Sequence, residues 1–208
     1  IYGPSIPKMI GLSERPERTN DNKMIPLEKY GLKCMSIGFL ISEDTPAIWR
    51  GPMVMKALEQ MFNGVEWGDL DFLIIDLPPG TGDAQLTLAQ HVKLDGSIIV
   101  STPQDIALID ARKGINMFKK VGVEVMGIVE NMSYFICEKC DERHEIFSNG
   151  GAKKEAEKYK TTFLGEIPIN KNLRINSDEG IPMIIADPEN EITNKYLSIA
   201  EKIIFSLN

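Results

Sequence analysis

The sequence has few cysteines, no long apolar run and no excess of positive charge. Its 208 residues include only three cysteines, which do not make the even framework of a secreted disulfide-bonded domain. No apolar stretch approaches the roughly 18–20 residues of a membrane-spanning helix. Lys and Arg number 23 against 30 Asp and Glu, and a net charge of −7 offers no general attraction to nucleic acid. We therefore expect a protein of a reducing compartment with neither a membrane nor nucleic acid as partner.

Strand-like and helix-like runs alternate along the chain, and a hydrophobic fraction of 43% is enough for a substantial core. Residues 1–30 hold four prolines and are predicted to form loops and short turns. Strands are predicted over residues 32–41, 72–76, 97–101, 123–130 and 162–164, and helices over residues 51–62, 84–92, 105–120, 152–159 and 192–203. This alternation predicts an α/β fold in which a mostly parallel sheet has helices on both faces.

A candidate nucleotide site follows the predicted strand 72–76. Asp76 ends this strand, and the loop after it contains Gly80 and Gly82. An aspartate at the carboxyl end of a buried strand can hold Mg²⁺ through water, and glycines let the backbone approach a γ-phosphate. Two alternatives remain open. Asp76 can simply cap a turn, and the loop can belong to a dinucleotide-binding fold, although Gln85 replaces the third glycine of that fingerprint.

The second candidate site is the pair Cys137 and Cys140, whose spacing suits one metal centre. A tetrahedral zinc site or a four-iron cluster needs about four ligands, and this pair supplies two. Cys34 is predicted to be a small buried apolar residue, and His144 would bring a zinc site only to three ligands. Two copies related by a two-fold axis would supply four thiolates. The alternatives are an intrachain disulfide and half of a zinc ribbon.

A third candidate is Asn131, which directly follows the predicted strand 123–130. Its side-chain amide carries both a donor and an acceptor and is able to bind the edge of a purine base. An asparagine at a strand end is also a common turn former.

Six motifs, taken together and in this order, resemble those of the Mrp-type iron-sulfur cluster carrier proteins, which are ATPases of the MinD-like deviant P-loop class. They are Ile1-Tyr-Gly-Pro-Ser-Ile-Pro7, Trp49-Arg-Gly-Pro-Met53, Asp76-Leu-Pro-Pro-Gly-Thr-Gly-Asp83, Glu130-Asn-Met-Ser133, Cys137-Glu-Lys-Cys140 and Gly165-Glu-Ile-Pro168. The resemblance extends from the first residue to the last.

In that family a Gly-Lys-Gly-Gly-x-Gly-Lys-Ser loop precedes these motifs, whereas this sequence contains no Gly-Lys dipeptide. The resemblance therefore implies a single partial P-loop NTPase domain over residues 1–208, without the amino-terminal P-loop strand and helix. It also implies a cysteine-bearing insertion at residues 132–148. Without the loop we expect poor ATP hydrolysis, and exposed apolar surface on the neighbours of residues 72–75.

The resemblance also implies what the two sites do. Asp76, Gly82 and Asp83 would be the catalytic candidates, with Asp76 bound to Mg²⁺ through water and the other two in the loop that senses the γ-phosphate of ATP. Asn131 would bind the adenine, and Pro168 would form part of the base pocket.

Cys137 and Cys140 of each subunit would hold a [4Fe-4S] cluster at the interface of a homodimer, and the cluster would pass to apo iron-sulfur proteins. The expected location is the cytoplasm, or alternatively the mitochondrial matrix. Two rival functions remain at this stage. One is a MinD-like regulatory ATPase without a cluster, and the other is a zinc-binding interaction module.

Overall fold

The computed structural model describes residues 5–41, 51–77, 80 and 82–207. The described helices are α1 (Ser5–Ile10), α2 (Gly51–Asn63), α3 (Asp83–His91), α4 (Asp105–Lys120), α5 (Gly151–Tyr159), α6 (Lys171–Glu179), α7 (Met183–Ala186) and α8 (Glu191–Leu207), with a short 3₁₀ helix at Ile37–Phe39. The described strands are β1 (Leu27–Lys29), β2 (Leu32–Cys34), β3 (Ser97–Ser101), β4 (Val125–Glu130), β5 (Phe135–Ile136), β6 (Arg143–His144) and β7 (Thr162–Glu166).

A parallel sheet in the order β3-β4-β7 has helices on both faces, as predicted. Ile128 and Val129 are successive residues of β4, so their side chains point to opposite faces. Ile128 packs in one apolar cluster with Ile115 of α4, whereas Val129 packs in another with Leu164 of β7 and Ile199 of α8. Helices α4 and α5 therefore cover one face, and α8 covers the other.

Most of the predicted elements are confirmed. The predicted β3 and α4 have the observed bounds, and α2, α3, α5, β4, β7 and α8 overlap their predicted ranges. Helix α6 was not predicted because Leu173 and Ile175 are the only apolar residues in its nine, too few to give a helical period, although Asn170 caps it by accepting a hydrogen bond from the Leu173 N–H. Strands of two residues, such as β5 and β6, are too short to produce a pattern.

The prediction of a strand over residues 72–76 is wrong for this structure. The segment is described but is not part of a sheet, and Phe72, Leu73 and Ile74 are exposed, Ile74 by 81%. Apolar runs form strands only when a neighbour takes their backbone hydrogen bonds.

The predicted strand 32–41 is also too long, because only β2 forms. The side chain of Ser36 accepts a hydrogen bond from the Gly38 amide at 3.1 Å and caps the 3₁₀ helix that follows. This local side-chain bond takes the place of a sheet hydrogen bond. In the part of the chain that the structure describes, no helix is both long and apolar enough to cross a membrane.

Candidate functional site

The two candidate cysteines lie in the connection of a small antiparallel hairpin, β5–β6, inside the predicted insertion 132–148. The Cys137 amide donates to the Glu142 carbonyl at 3.0 Å, and the Asp141 amide donates to the Cys137 carbonyl at 2.9 Å. Asp141 adopts a left-handed conformation with φ of 57°, which Asp tolerates better than most residues. The chain therefore turns tightly around Cys137 and brings Cys140 beside it.

The sulfur of Cys137 is surrounded by hydrogen-bond donors. The backbone N–H groups of Lys139 and Cys140 donate to it, and so does the thiol of Cys140, and together they lower the pKa of Cys137. Cys140 is exposed and Cys137 is half-buried, and neither is in a disulfide. The turn thus stabilises a thiolate, which is the form that binds metal.

Within the described part of the chain, this hairpin offers two cysteine sulfurs and no further ligand. Among the described residues, no three His, Cys, Asp or Glu side chains lie close enough together to hold a metal ion. The ring of His144 instead lies 6.4 Å from that of Phe135, and its Nε2 lies 3.9 Å from Glu142 Oε2. Cys34 is half-buried at the end of β2, where burial raises the pKa of its thiol. A metal centre of four thiolates would therefore need a second pair from elsewhere.

Asn131 and Pro168 both lie at the carboxyl edge of the sheet, just beyond the ends of β4 and β7. The backbone N–H of Asn131 donates to the carbonyl of Ser101, at the end of β3, at 2.8 Å. The side-chain oxygen of Asn131, Oδ1, accepts from the backbone N–H of Met132 at 3.0 Å. Pro168 is buried and follows Ile167, whose amide donates to the Glu130 carbonyl at 2.9 Å. Neighbouring strands thus bring the two residues close together.

Asp76 and Gly82 belong to a second group, on the segment that leads into α3. Asp76 is exposed, while the adjacent Leu77 packs against both the α4 cluster and the cluster of Leu58 and Leu88. Gly82 precedes the first residue of α3 in an extended conformation. The side chain of Asp83 lies outside the described part, as do residues 78, 79 and 81 of the same loop and residues 1–4, 49 and 50 of two other motifs.

Sequence reasoning missed a buried carboxylate beside Asn131. Glu130, which has no exposed surface, accepts hydrogen bonds from the Gly150 amide at 3.1 Å, the Ala152 amide at 2.8 Å and the Ser133 hydroxyl at 2.7 Å. The first two donors stand at the amino terminus of α5, where a negative charge is favourable. Glu130 and Ser133 are both part of the motif 130–133, which was the available signal.

A parallel sheet with helices on both faces is the architecture of the P-loop NTPase class, and a comparison with family models agrees. The sequence profile of the ParA family, described as NUBPL iron-transfer P-loop NTPase, matches residues 1–204. The chain therefore belongs to that family.

Individual relatives agree with this assignment. The chain is 49% identical over 207 residues to the iron-sulfur protein required for NADH dehydrogenase, mitochondrial, of Arabidopsis thaliana, and 51% identical over 208 residues to the iron-sulfur cluster carrier protein of Escherichia coli strain K12. Both alignments cover 100% of this chain but only 66% and 56% of the two relatives. The chain thus spans between about half and two thirds of the length of these proteins.

A solved structure extends the similarity to three dimensions. The nucleotide-binding protein of Archaeoglobus fulgidus, in complex with ADP and with cobalt found in it, is 38% identical to this chain. The two align with a TM-score of 0.74 over 92% of this chain and 74% of the other.

Proposed function

We propose that the protein carries iron-sulfur clusters. In this proposal Cys137 and Cys140 of two copies hold one [4Fe-4S] cluster between them and release it to apo iron-sulfur proteins. The cluster is cargo, so binding must be firm enough to survive transport and exposed enough to permit release. The hairpin connection suits both demands. Backbone hydrogen bonds between Cys137 and residues 141 and 142 fix its shape, and both thiols are accessible at least in part.

The observation that carries the proposal is the half-complete thiolate site. The turn from Cys137 to Asp141 places Cys140 near Cys137, hydrogen bonds from backbone N–H groups lower the pKa of Cys137, and among the described residues no group of three potential ligands is present. A four-iron cluster needs four thiolates, and a two-fold axis through the site supplies the missing pair. The family and the names of the relatives favour iron-sulfur cargo over other metals.

The proposal assigns the second group of residues to MgATP in the whole protein. Asp76 would hold Mg²⁺ through water, and Gly82 and Asp83 would form the loop that senses the γ-phosphate. Asn131 would bind the adenine, with its NH₂ group as donor because its oxygen already accepts from Met132. Pro168 would close the base pocket. ATP binding and hydrolysis would then alter the geometry of the dimer.

The extent and location of the protein are part of the same proposal. Residues 1–208 would form part of one P-loop NTPase domain, with the cysteine-bearing insertion at residues 132–148. The cytoplasm and the mitochondrial matrix are both suitable compartments, since both keep thiols reduced. A relative is named as mitochondrial, and another is bacterial.

The test is anaerobic reconstitution of the chain with iron and sulfide. Visible absorbance, iron and sulfide per chain, and the oligomeric state by light scattering are the measurements. We expect a brown dimer with about four iron atoms per two chains. The double variant Cys137→Ala/Cys140→Ala should remain colourless and monomeric.

The matched control is Cys34→Ala, which removes a thiol outside the hairpin and should leave the cluster unchanged. A chain that folds but takes zinc and no iron would contradict the carrier proposal and favour the zinc-binding module. A chain that binds neither metal would favour the MinD-like regulatory ATPase.

A further inference from the structure

The side chain of Arg143, three residues after Cys140, is held between an anion and an aromatic ring. Its Nη1 and Nη2 donate to Glu166 Oε1 and Oε2 at 3.2 Å and 3.3 Å, a two-pronged ion pair. Its guanidinium carbon lies 3.8 Å from the centre of the Tyr134 ring, which is buried. Arginine suits this position because its planar group pairs with a carboxylate and stacks on a ring at the same time.

The hairpin that carries the cysteines needs such an anchor. Two strands of two residues each are not stable alone in water. Two described contacts attach the hairpin to β7 and the segment that follows it. One is the bridge between Phe135 and Ile169, in which the Ile169 N–H donates to the Tyr134 carbonyl at 2.7 Å, and the other is the ion pair of Arg143 with Glu166. Arg143 is paired with Ile136, the neighbour of Cys137, so its side chain anchors the hairpin close to the first thiol.

The anchor continues into the loop that contains Asn131. The Ser133 hydroxyl lies 3.1 Å from Glu166 Oε2 and 2.7 Å from Glu130 Oε1. This hydroxyl has one hydrogen, so a full bond to one carboxylate weakens its bond to the other. A movement of residues 131–133 would therefore strengthen or weaken the hydrogen bond from Ser133 to Glu166, which is the carboxylate paired with Arg143. Glu130, Ser133, Glu166 and Arg143 form one continuous polar chain from the start of α5 to the cysteine hairpin.

We propose that Arg143 and Glu166 are positioning residues for the Cys137–Cys140 pair, and that Ser133 connects this clamp to the Asn131 loop. The role as a positioning device for cluster thiolates rests on the proposed function. The clamp fixes the angle at which each hairpin presents its two sulfurs, and thereby sets how readily the cluster is lost.

The test compares Arg143→Ala and Arg143→Lys with the unmodified chain, after anaerobic reconstitution. The rate of cluster loss to an iron chelator should rise about tenfold or more in Arg143→Ala, the effect typical of residues that orient metal ligands. Arg143→Lys keeps the charge but loses the fork and the stacking, so its rate should be intermediate. The visible circular dichroism of the cluster, which reports the geometry around it, should change in the same order.

Two further variants separate positioning from general damage. Arg174→Ala breaks an exposed ion pair with Asp178 on α6 and should leave the rate and the spectrum unchanged. Glu166→Gln removes the ion pair but keeps the stacking on Tyr134, so it should raise the rate in the same direction as Arg143→Ala, and the double variant should be no worse than Arg143→Ala alone, which already lacks the ion pair.

Amide hydrogen exchange of residues 135–144 in the metal-free chain tests the clamp without a cluster. Exchange should be faster in Arg143→Ala and unchanged in Arg174→Ala. Unaltered exchange, cluster loss and dichroism in Arg143→Ala would overturn the inference while leaving the carrier proposal standing. If the unmodified chain forms no cysteine-dependent cluster, the carrier proposal fails together with the positioning role, and the exchange comparison still decides whether Arg143 clamps the hairpin.

Discussion

Replacement of Glu130 by Gln should destabilise the fold strongly, although the two side chains have nearly the same shape. Glu130 is fully buried and its two oxygens accept three hydrogen bonds, two of them from the first amides of α5. Glutamine has one acceptor oxygen in place of two. Whichever way its amide is oriented, its NH₂ group faces a backbone N–H, from Gly150 or from Ala152.

The magnitude follows from these contacts. One buried N–H group is left without an acceptor, which costs about 1–3 kcal/mol. Loss of the negative charge at the amino terminus of α5 costs about 0.3–1 kcal/mol more, or up to about 2 kcal/mol for a buried group. The sum is about 3 kcal/mol, a substantial part of the roughly 5–15 kcal/mol that stabilises a typical domain. For a chain of this length it lowers Tm by about 6–12 °C.

Urea and thermal unfolding, followed by circular dichroism, measure this loss. The control is Glu157→Gln, which makes the same chemical change at an exposed position of α5 and should shift stability by less than about 0.5 kcal/mol. If Glu130→Gln proves as stable as this control, the carboxylate does not cap α5 and the reasoning is refuted.

Two other predictions concern a glycine contact and the thiols. Gly180→Ala should cost about 3 kcal/mol in urea unfolding, because φ is 72° and a Cβ would lie 2.6 Å from the Gly11 nitrogen, whereas Gly122→Ala, with φ of 75° and open space, should cost about 1 kcal/mol. Equal losses would contradict the close packing of α1 on α6. Donation by backbone N–H groups lowers the pKa of Cys137 and burial raises that of Cys34, so the alkylation rate of Cys137 should begin to rise at a lower pH. Mass spectrometry of iodoacetamide-treated chain at several pH values measures both rates, and faster reaction of Cys34 near neutral pH would contradict the assignment.

The sequence alone determined the elements whose signal is local. Strand β3 was predicted with its observed bounds because a short run of β-branched residues marks it, and helix α4 because Leu108, Ala111, Ile115 and Phe118 recur at helical spacing and pack in one cluster. The spacing of Cys137 and Cys140 predicted a two-ligand site because only two residues separate them, which suits a single tight turn. Asn131 was predicted at the carboxyl edge of the sheet because it directly follows a predicted strand, whereas Pro168 was assigned to the same site only by the family resemblance.

The tertiary structure alone decided the features that depend on distant residues. Residues 72–76 have the composition of a buried strand, yet whether they form one depends on a neighbouring strand to accept their hydrogen bonds. Glu130 and the clamp between Arg143 and Glu166 were not predicted, because a charged residue in a sequence gives no sign of burial or of its partner. Glu166 lies 23 residues from Arg143, and only the pairing of β4 with β7 brings its carboxylate to the hairpin. The periodicity of apolar residues depends on residues that are close in the chain, whereas the partners of buried or paired polar side chains depend on how the strands pack together.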